Sequence, residues 1–260
     1  MFDWSFFGDA VFHPSSQWVT GLWRTIYISV VAQALGVVFG LFIALARRSR
    51  FRLPRALAGG YVWIIRGTPL LVQLVIVYNG LAATNIYRFQ DLTVGSISLP
   101  GVIQAAILTL ALNETAYMSE IIRAALDAVD SGQTEAAKAL GMTPAVTMRT
   151  VLLPQAARTV IPPLGNEFNL MMKSTSLLSV IGVQEMFLTA QSINSATFKT
   201  FEIFAAAAAY YLLLTTVWGF IQAAIERKLG DPGLRGSRPS FRDRVFGGRG
   251  TQPGLLEGAR

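Results

Sequence analysis

The chain contains no cysteine and a single histidine, His13. Disulfides, iron–sulfur clusters, zinc fingers and a cysteine nucleophile are thereby excluded, and redox and His/Cys metal chemistry with them. Charge is scarce as well: 14% of the 260 residues are charged against 52% hydrophobic, and mean hydropathy is +0.46. A water-facing globule carries roughly 25% charged residues. The composition therefore describes a polytopic membrane protein, with spans of about 20 residues each and little chain left for a soluble domain. No Gly-Lys pair occurs, so there is no G-x-x-x-x-G-K-[ST] loop to cradle nucleotide phosphates. No long internal repeat is found, which removes support for a solenoid or for two inverted halves in one chain. Lys and Arg are missing from residues 1 to 23, where Asp3 and Asp9 stand instead. A secretory leader begins with a positive region, so no cleaved segment is expected.

Apolar runs are what the sequence does have. Ile26 to Ala46 is free of charge and long enough to cross a bilayer. Arg47, Arg48, Arg50, Arg52 and Arg55 follow it directly, and the positive-inside rule puts them in the cytoplasm and the N-terminus outside. Pro54 to Leu81 returns outward, interrupted by Arg66-Gly67-Thr68-Pro69, which suggests an interfacial segment over 54–65 and a span from about residue 69. Residues 82–98 form a polar outer loop, Leu99 to Leu126 a third span, and residues 127–158 a cytoplasmic loop. Val160 to Ile181 then crosses outward, and after a short outer loop Phe201 to Ile225 crosses inward and stops at Arg227-Lys228.

The expected fold is all-α with five transmembrane helices: a stub over 1–18, a membrane domain over 19–228, and a disordered cytoplasmic tail over 229–260. Of the 22 basic residues this topology places 17 inside and only Arg24, Arg88 and Lys199 outside. The pI near 10 then follows from topology, and no nucleic-acid partner is expected. The tail arginines are solvated or touch anionic membrane lipid.

The cytoplasmic loop has its own local chemistry. Helix formers run from Gln133 to Leu140, and Gly141 suits the left-handed position that ends a helix. Thr143 can cap a second helix, with Pro144 in its first turn, and Pro154 closes the segment or starts the next. The spacing is more specific. Glu135-Ala136-Ala137, three residues, Gly141, nine residues, then Val151-Leu152-Leu153-Pro154 closely resembles the EAA loop of bacterial ABC-importer permeases, with Val151 for Ile the one departure. Arg66 to Leu74 (RGTPLLVQL), Asn113 to Arg123 (NETAYMSEIIR) and Lys173 to Leu177 (KSTSL) are similar to the polar amino-acid subfamily of those permeases. The resemblance spans about residues 17 to 228.

The resemblance implies a type I ABC-importer permease fold in a bacterial plasma (inner) membrane, carrying a polar amino acid inward. It implies four kinds of partner: a second permease subunit, identical or related; two cytoplasmic ATPase subunits holding ATP and Mg; an extracytoplasmic amino-acid-binding protein; and membrane lipid. The chain itself would bind no cofactor and would not be an enzyme. Coupling to the ATPase would fall on Glu135, Ala136, Ala137, Gly141, Met142, Thr143, Pro144 and Pro154. The alternative is an ion-coupled secondary amino-acid transporter; a membrane enzyme built on Glu114, Glu120 and Glu167 lacks an accompanying nucleophile, His or metal cluster.

Ionisable groups within spans are costly, about 2.5 to 3.5 kcal/mol each at a helix centre, and should face protein or water. Asn166, Asn169 and Lys173, continuing to Ser176, form one polar stripe on span four, with Glu167 beside it. Asn113, Ala116, Tyr117 and Glu120 share a face of span three, with Glu114 one position round. These residues either line a translocation pathway enclosed by spans three and four of two subunits or pair with one another, Lys173 with a glutamate of span three. Two carboxylates hint at a cationic substrate.

Overall fold

The computed structural model describes residues 2–95 and 97–229. The expected tail therefore lies, beyond Leu229, outside the described residues. In chain order the elements begin with α1 (Trp4–Phe12), α2 (Ser16–Arg47) and α3 (Arg52–Gly67). Next come α4 (Leu70–Val75), a π turn (Ile76–Gly80), α5 (Leu81–Ala83) and the strands β1 (Leu92–Val94) and β2 (Ile97–Leu99). Then follow α6 (Gly101–Asp127), α7 (Ser131–Ala139), α8 (Pro144–Thr147), a second π turn (Met148–Leu152) and α9 (Leu153–Ser174). A 3₁₀ turn (Thr175–Ile181), α10 (Met186–Thr197) and α11 (Thr200–Leu229) complete the chain.

Helices α2 and α11 are long and apolar enough to cross a bilayer, and the bent pair over 52–67 and 70–83 makes a third such crossing if read as one span. Helix α6 and helix α9 have 27 and 22 residues, about 40 and 33 Å at roughly 1.5 Å per residue. They have the length but are more polar, carrying the Asn, Glu and Lys residues named above.

Helix α2 is the central column, and three apolar layers stack along it. Trp18 packs with Met186, Ala190, Ile203 and Ala207 at one end. Ile28 and Ala32 pack with Leu74, Ala106, Leu110 and Met171 in the middle. Ala44 packs with Met118, Ile122, Leu152 and Ala156 at the other end. Gly36 and Gly40 let α2 lie directly on α6: a Cβ at Gly40 would come 2.8 Å from Met118 Cβ, and one at Gly36 would collide with the Glu114 side chain. Small residues four apart are the usual means of close helix contact in lipid.

Three segments differ from the sequence expectation. The N-terminal stub holds α1, and α2 begins at Ser16, well before Ile26. Helix α1 is too short to be stable alone and is held from outside. Asp3 caps it by accepting from the Phe6 amide at 3.0 Å, pairs with Lys199 Nζ at 3.0 Å and donates its own amide to Glu202 at 2.8 Å. The Phe6 amide, the Ser5 hydroxyl and Lys199 hold the Asp3 carboxyl well below the usual carboxylate range. Second, the segment before α11, expected as a short loop, contains α10. Its cap is the fully buried Glu185, which accepts from the amides of Phe187 and Leu188 at 2.9 and 2.8 Å and from the Tyr211 hydroxyl at 3.2 Å. Third, the polar loop over 82–98 carries an antiparallel hairpin, Leu92 opposite Leu99, which adds two short strands to an otherwise helical fold.

Candidate functional site

At Arg66-Gly67-Thr68-Pro69 the chain bends by 106° between α3 and the helix that follows. Thr68 is extended (φ −120°, ψ 145°), as a residue preceding proline is driven to be. A break of this kind strips backbone carbonyls of their partners. Gln73 supplies replacements: its Nε2 donates to Ile65 O at 2.7 Å, Thr68 O at 3.1 Å and Thr68 Oγ1 at 2.9 Å. Its Oε1 accepts from Asn113 Nδ2 at 3.0 Å. Asn113 thereby ties the break to α6.

Beside the break lies a cavity of about 540 Å³ whose wall includes Asn113, Glu114, Glu167 and Ser174. Glu114 is only 4% exposed; its side chain crosses Gly36, and its Oε1 accepts from Gln33 Nε2 at 2.9 Å. It is thus both a clamp between α2 and α6 and part of the wall. Glu167 interacts electrostatically with Glu114 across this space and with Arg66. Two carboxylates, a guanidinium, an amide and a hydroxyl around one volume can receive an ammonium and a carboxylate together.

The remaining polar residues divide. Glu120 is outside this cavity and is clasped by arginines: Arg47 Nη1 bonds one oxygen, and Arg123 bonds the other through Nε at 3.1 Å and Nη2 at 2.9 Å. It lines a second cavity, about 440 Å³, together with Arg47, Trp63, Arg66 and Tyr117. The stripe expected on span four and Glu167 beside it face different ways, with Lys173 and Ser176 of the stripe lining one separate cavity. Glu167, Met171 and Ser174 face the first cavity, whereas Asn166, Asn169 and Lys173 are absent from its wall. At 100° per residue a one-residue step from Asn166 to Glu167 is enough to change faces. Asn166 and Lys173 are exposed on this subunit, and Asn169 Oδ1 is buried without a partner. Lys173 pairs with no glutamate of span three among the described residues; it borders a separate, mostly apolar cavity with Phe187, Phe204 and Tyr211. Gln33 is not among the residues that the sequence pattern marks, although a lone amide inside the most apolar span is itself a signal.

The loop over 127–158 has the local geometry expected from its caps. Asp130 caps α7, accepting from the Gly132 amide at 2.7 Å. Gly141 takes φ +72°, its amide reaching Lys138 O at 2.9 Å and the Met142 amide reaching Ala137 O at 3.0 Å. These two bonds close the helix in a Schellman turn. Thr143 accepts from the Val146 amide at 3.4 Å, and Pro144 opens α8. Pro154 starts α9. It has no amide to return to Thr150, and the preceding turn is π. Helix α8, the π turn and α9 follow one another without a loop, as one continuous helical rod from Pro144 to Ser174 with Pro162 and Pro163 inside it. Ala137 is buried; Glu135, Ala136, Met142 and Pro144 are at least partly exposed, and Leu140 is 81% exposed.

Residues 36–231 match the family described as binding-protein-dependent transport system inner membrane component. The glutamine transport system permease protein GlnP of Escherichia coli (strain K12) is 36% identical over 228 residues, 88% of this chain and 98% of that one. The nopaline transport system permease protein NocM of Agrobacterium fabrum is 42% identical over 200 residues, 74% and 79% of the two chains. A solved amino acid ABC transporter with histidines aligns at TM-score 0.73 and 40% identity, covering 82% of this chain and 94% of that one. The MetNI methionine transporter, at 20% identity and TM-score 0.67 over 83% of this chain and 97% of that one, shares the fold. The helical architecture is accordingly the type I ABC-importer permease fold expected from the sequence, and the chain belongs to the binding-protein-dependent transport system inner membrane components.

Proposed function

We propose that this chain is the transmembrane subunit of an ATP-driven importer that carries a polar amino acid across the inner membrane. Relatives named for glutamine, arginine and nopaline transport support the substrate class. The observation that carries the mechanism is the uninterrupted rod from Pro144 to Ser174. One end is the exposed turn at Gly141, Met142 and Thr143, and the other bears Glu167 and Ser174 on the cavity wall. A push on the turn moves the wall, because the rod has no loop in which to dissipate it.

In this reading the ATPase docks on Leu140 to Val146 and pairs with Glu135, which is exposed and has no hydrogen bond or ion pair among the described residues. ATP and Mg belong to that partner. A second permease subunit covers Asn166 and Lys173, since bare polar groups on a span are costly in lipid. The basic-residue distribution supports an external N-terminus and a cytoplasmic C-terminus, with residues 127–158 as the coupling loop of a membrane domain over 19–228. The family match favours this reading over an ion-coupled carrier. In proteoliposomes, ATP hydrolysis stimulated by a binding protein and its amino acid, and present only with a co-purified ATPase, is the expected result. Uptake driven by an ion gradient without any ATPase would refute it.

A further inference from the structure

The two cavities beside the break share one wall, made of Arg66, Gly67 and Tyr117. Arg66 is unlike its neighbours in how its donors are used. Arg47 and Arg123 hydrogen-bond Glu120 directly, so that carboxylate is already satisfied on both oxygens. Arg66 reaches it only at 3.8 Å. Its guanidinium lies over the Tyr117 ring, 5.2 Å from the centroid, and among the described residues it makes no hydrogen bond. A guanidinium offers five N–H donors in a planar fork matched to a carboxylate. Here that fork is held in place by an aromatic face, is partly exposed, and stands between a carboxylate-lined cavity and an arginine-lined one.

We propose that Arg66 is a carboxylate-binding station for the transported amino acid, engaging the α-carboxylate as the molecule passes from the Glu114–Glu167 cavity to the Arg47–Glu120 vestibule. The proposal rests on the reading of the first cavity as the substrate route and adds to it a residue and a direction of travel. In the first cavity the ammonium faces Glu167 while the α-carboxylate meets Arg66 ahead of it. In the vestibule Arg47 adds a second cation, and Tyr117 turns from a support for Arg66 into the partition behind the departing molecule.

The test is equilibrium binding of radiolabelled L-arginine and L-glutamine, and of their α-carboxamides, to the purified permease–ATPase complex with no binding protein present. A charge-assisted, two-pronged contact should make the wild-type complex prefer free acid to carboxamide about 10- to 100-fold. Arg66→Gln should bring that ratio close to unity, and Arg66→Lys, which keeps the charge and loses the fork, should lower it several-fold. Glu167→Gln should weaken acid and carboxamide alike and leave the ratio in place. Co-purification of the ATPase is the assembly control, and if Arg66→Gln does not assemble, the Arg66→Lys ratio decides. A wild-type ratio in the assembled Arg66 variant overturns the station while Glu167→Gln still upholds the cavity. A wild-type complex that binds neither acid nor carboxamide overturns both.

Discussion

Replacing Gly141 separates backbone strain from crowding, because a Cβ there would meet nothing within 4 Å although φ is +72°. Any cost must then come from the left-handed conformation itself, roughly 1–2 kcal/mol for an L side chain. If the turn opens to relieve it, the bonds from Gly141 to Lys138 and from Met142 to Ala137 are lost, each worth about 1 kcal/mol net. The balance is close enough that Gly141→Ala should shift the turn toward open forms by about 5- to 30-fold. Gly141→Val should be worse, since a β-branched residue is a poor fit to positive φ, and Gly141→Asn should be near wild type because Asn tolerates this region. In proteoliposomes with the ATPase and binding protein, transport per ATP hydrolysed should fall in the order Gly, Asn, Ala, Val at equal membrane level. Wild-type coupling in the Val variant would refute the assigned role of the turn. Equal damage from Asn and Val would show that side-chain space, and not backbone conformation, is what matters.

At the α2–α6 contact, Gly36→Ala drives a methyl into Glu114, an overpacking worth about 1–3 kcal/mol. Gly59→Ala has nothing within 4 Å, so thermal unfolding in detergent should drop for the first and hold or rise for the second. Gln73→Leu removes the partners of Ile65 O, Thr68 O and Asn113 Nδ2, all in part-buried bonds, at about 0.5–1.5 kcal/mol for each bond lost. Its melting temperature should fall clearly, whereas Gln155→Leu, which loses only an exposed bond to Gln133, should not move it. Because the chain has no native cysteine, single cysteines at Ser15, Ser131 and Ser195 can report sidedness to an impermeant maleimide. Ser15 and Ser195 should label from outside and Ser131 only from inside.

Local chemistry explains why so much was readable without a structure. The scarcity of charge, the arginines packed behind one apolar run, and the proline break depend on residue type and near neighbours alone. So do the caps of the loop over 127–158: Gly141 and Thr143 act within a few residues of themselves, so their geometry follows from the sequence. Helices α1 and α10 escaped for the opposite reason. Each is short, and each is held by a distant group, α1 by Lys199 and Glu202 and α10 by contacts of its Glu185 cap with Thr25 and Tyr211.

The polar residues of the spans mark the boundary most clearly. Residue cost in lipid required each of them to have a partner or a cavity, but helical periodicity could not say which. That choice depends on how far each helix is rotated, and rotation is set by packing. Gly36 and Gly40 seat α2 on α6, which brings Gln33 to Glu114 across 81 residues of sequence and Arg47 to Glu120 across 73. Arg66 makes no hydrogen bond among the described residues, and the rotation of α9 puts Glu167, but not Lys173, on the cavity wall. The sequence by itself determined that this is a membrane protein with a capped helix–turn–helix between spans three and four, since those features are local. Only the tertiary structure decided which carboxylates clamp helices and which face open space, because each of those distances joins helices far apart in the chain.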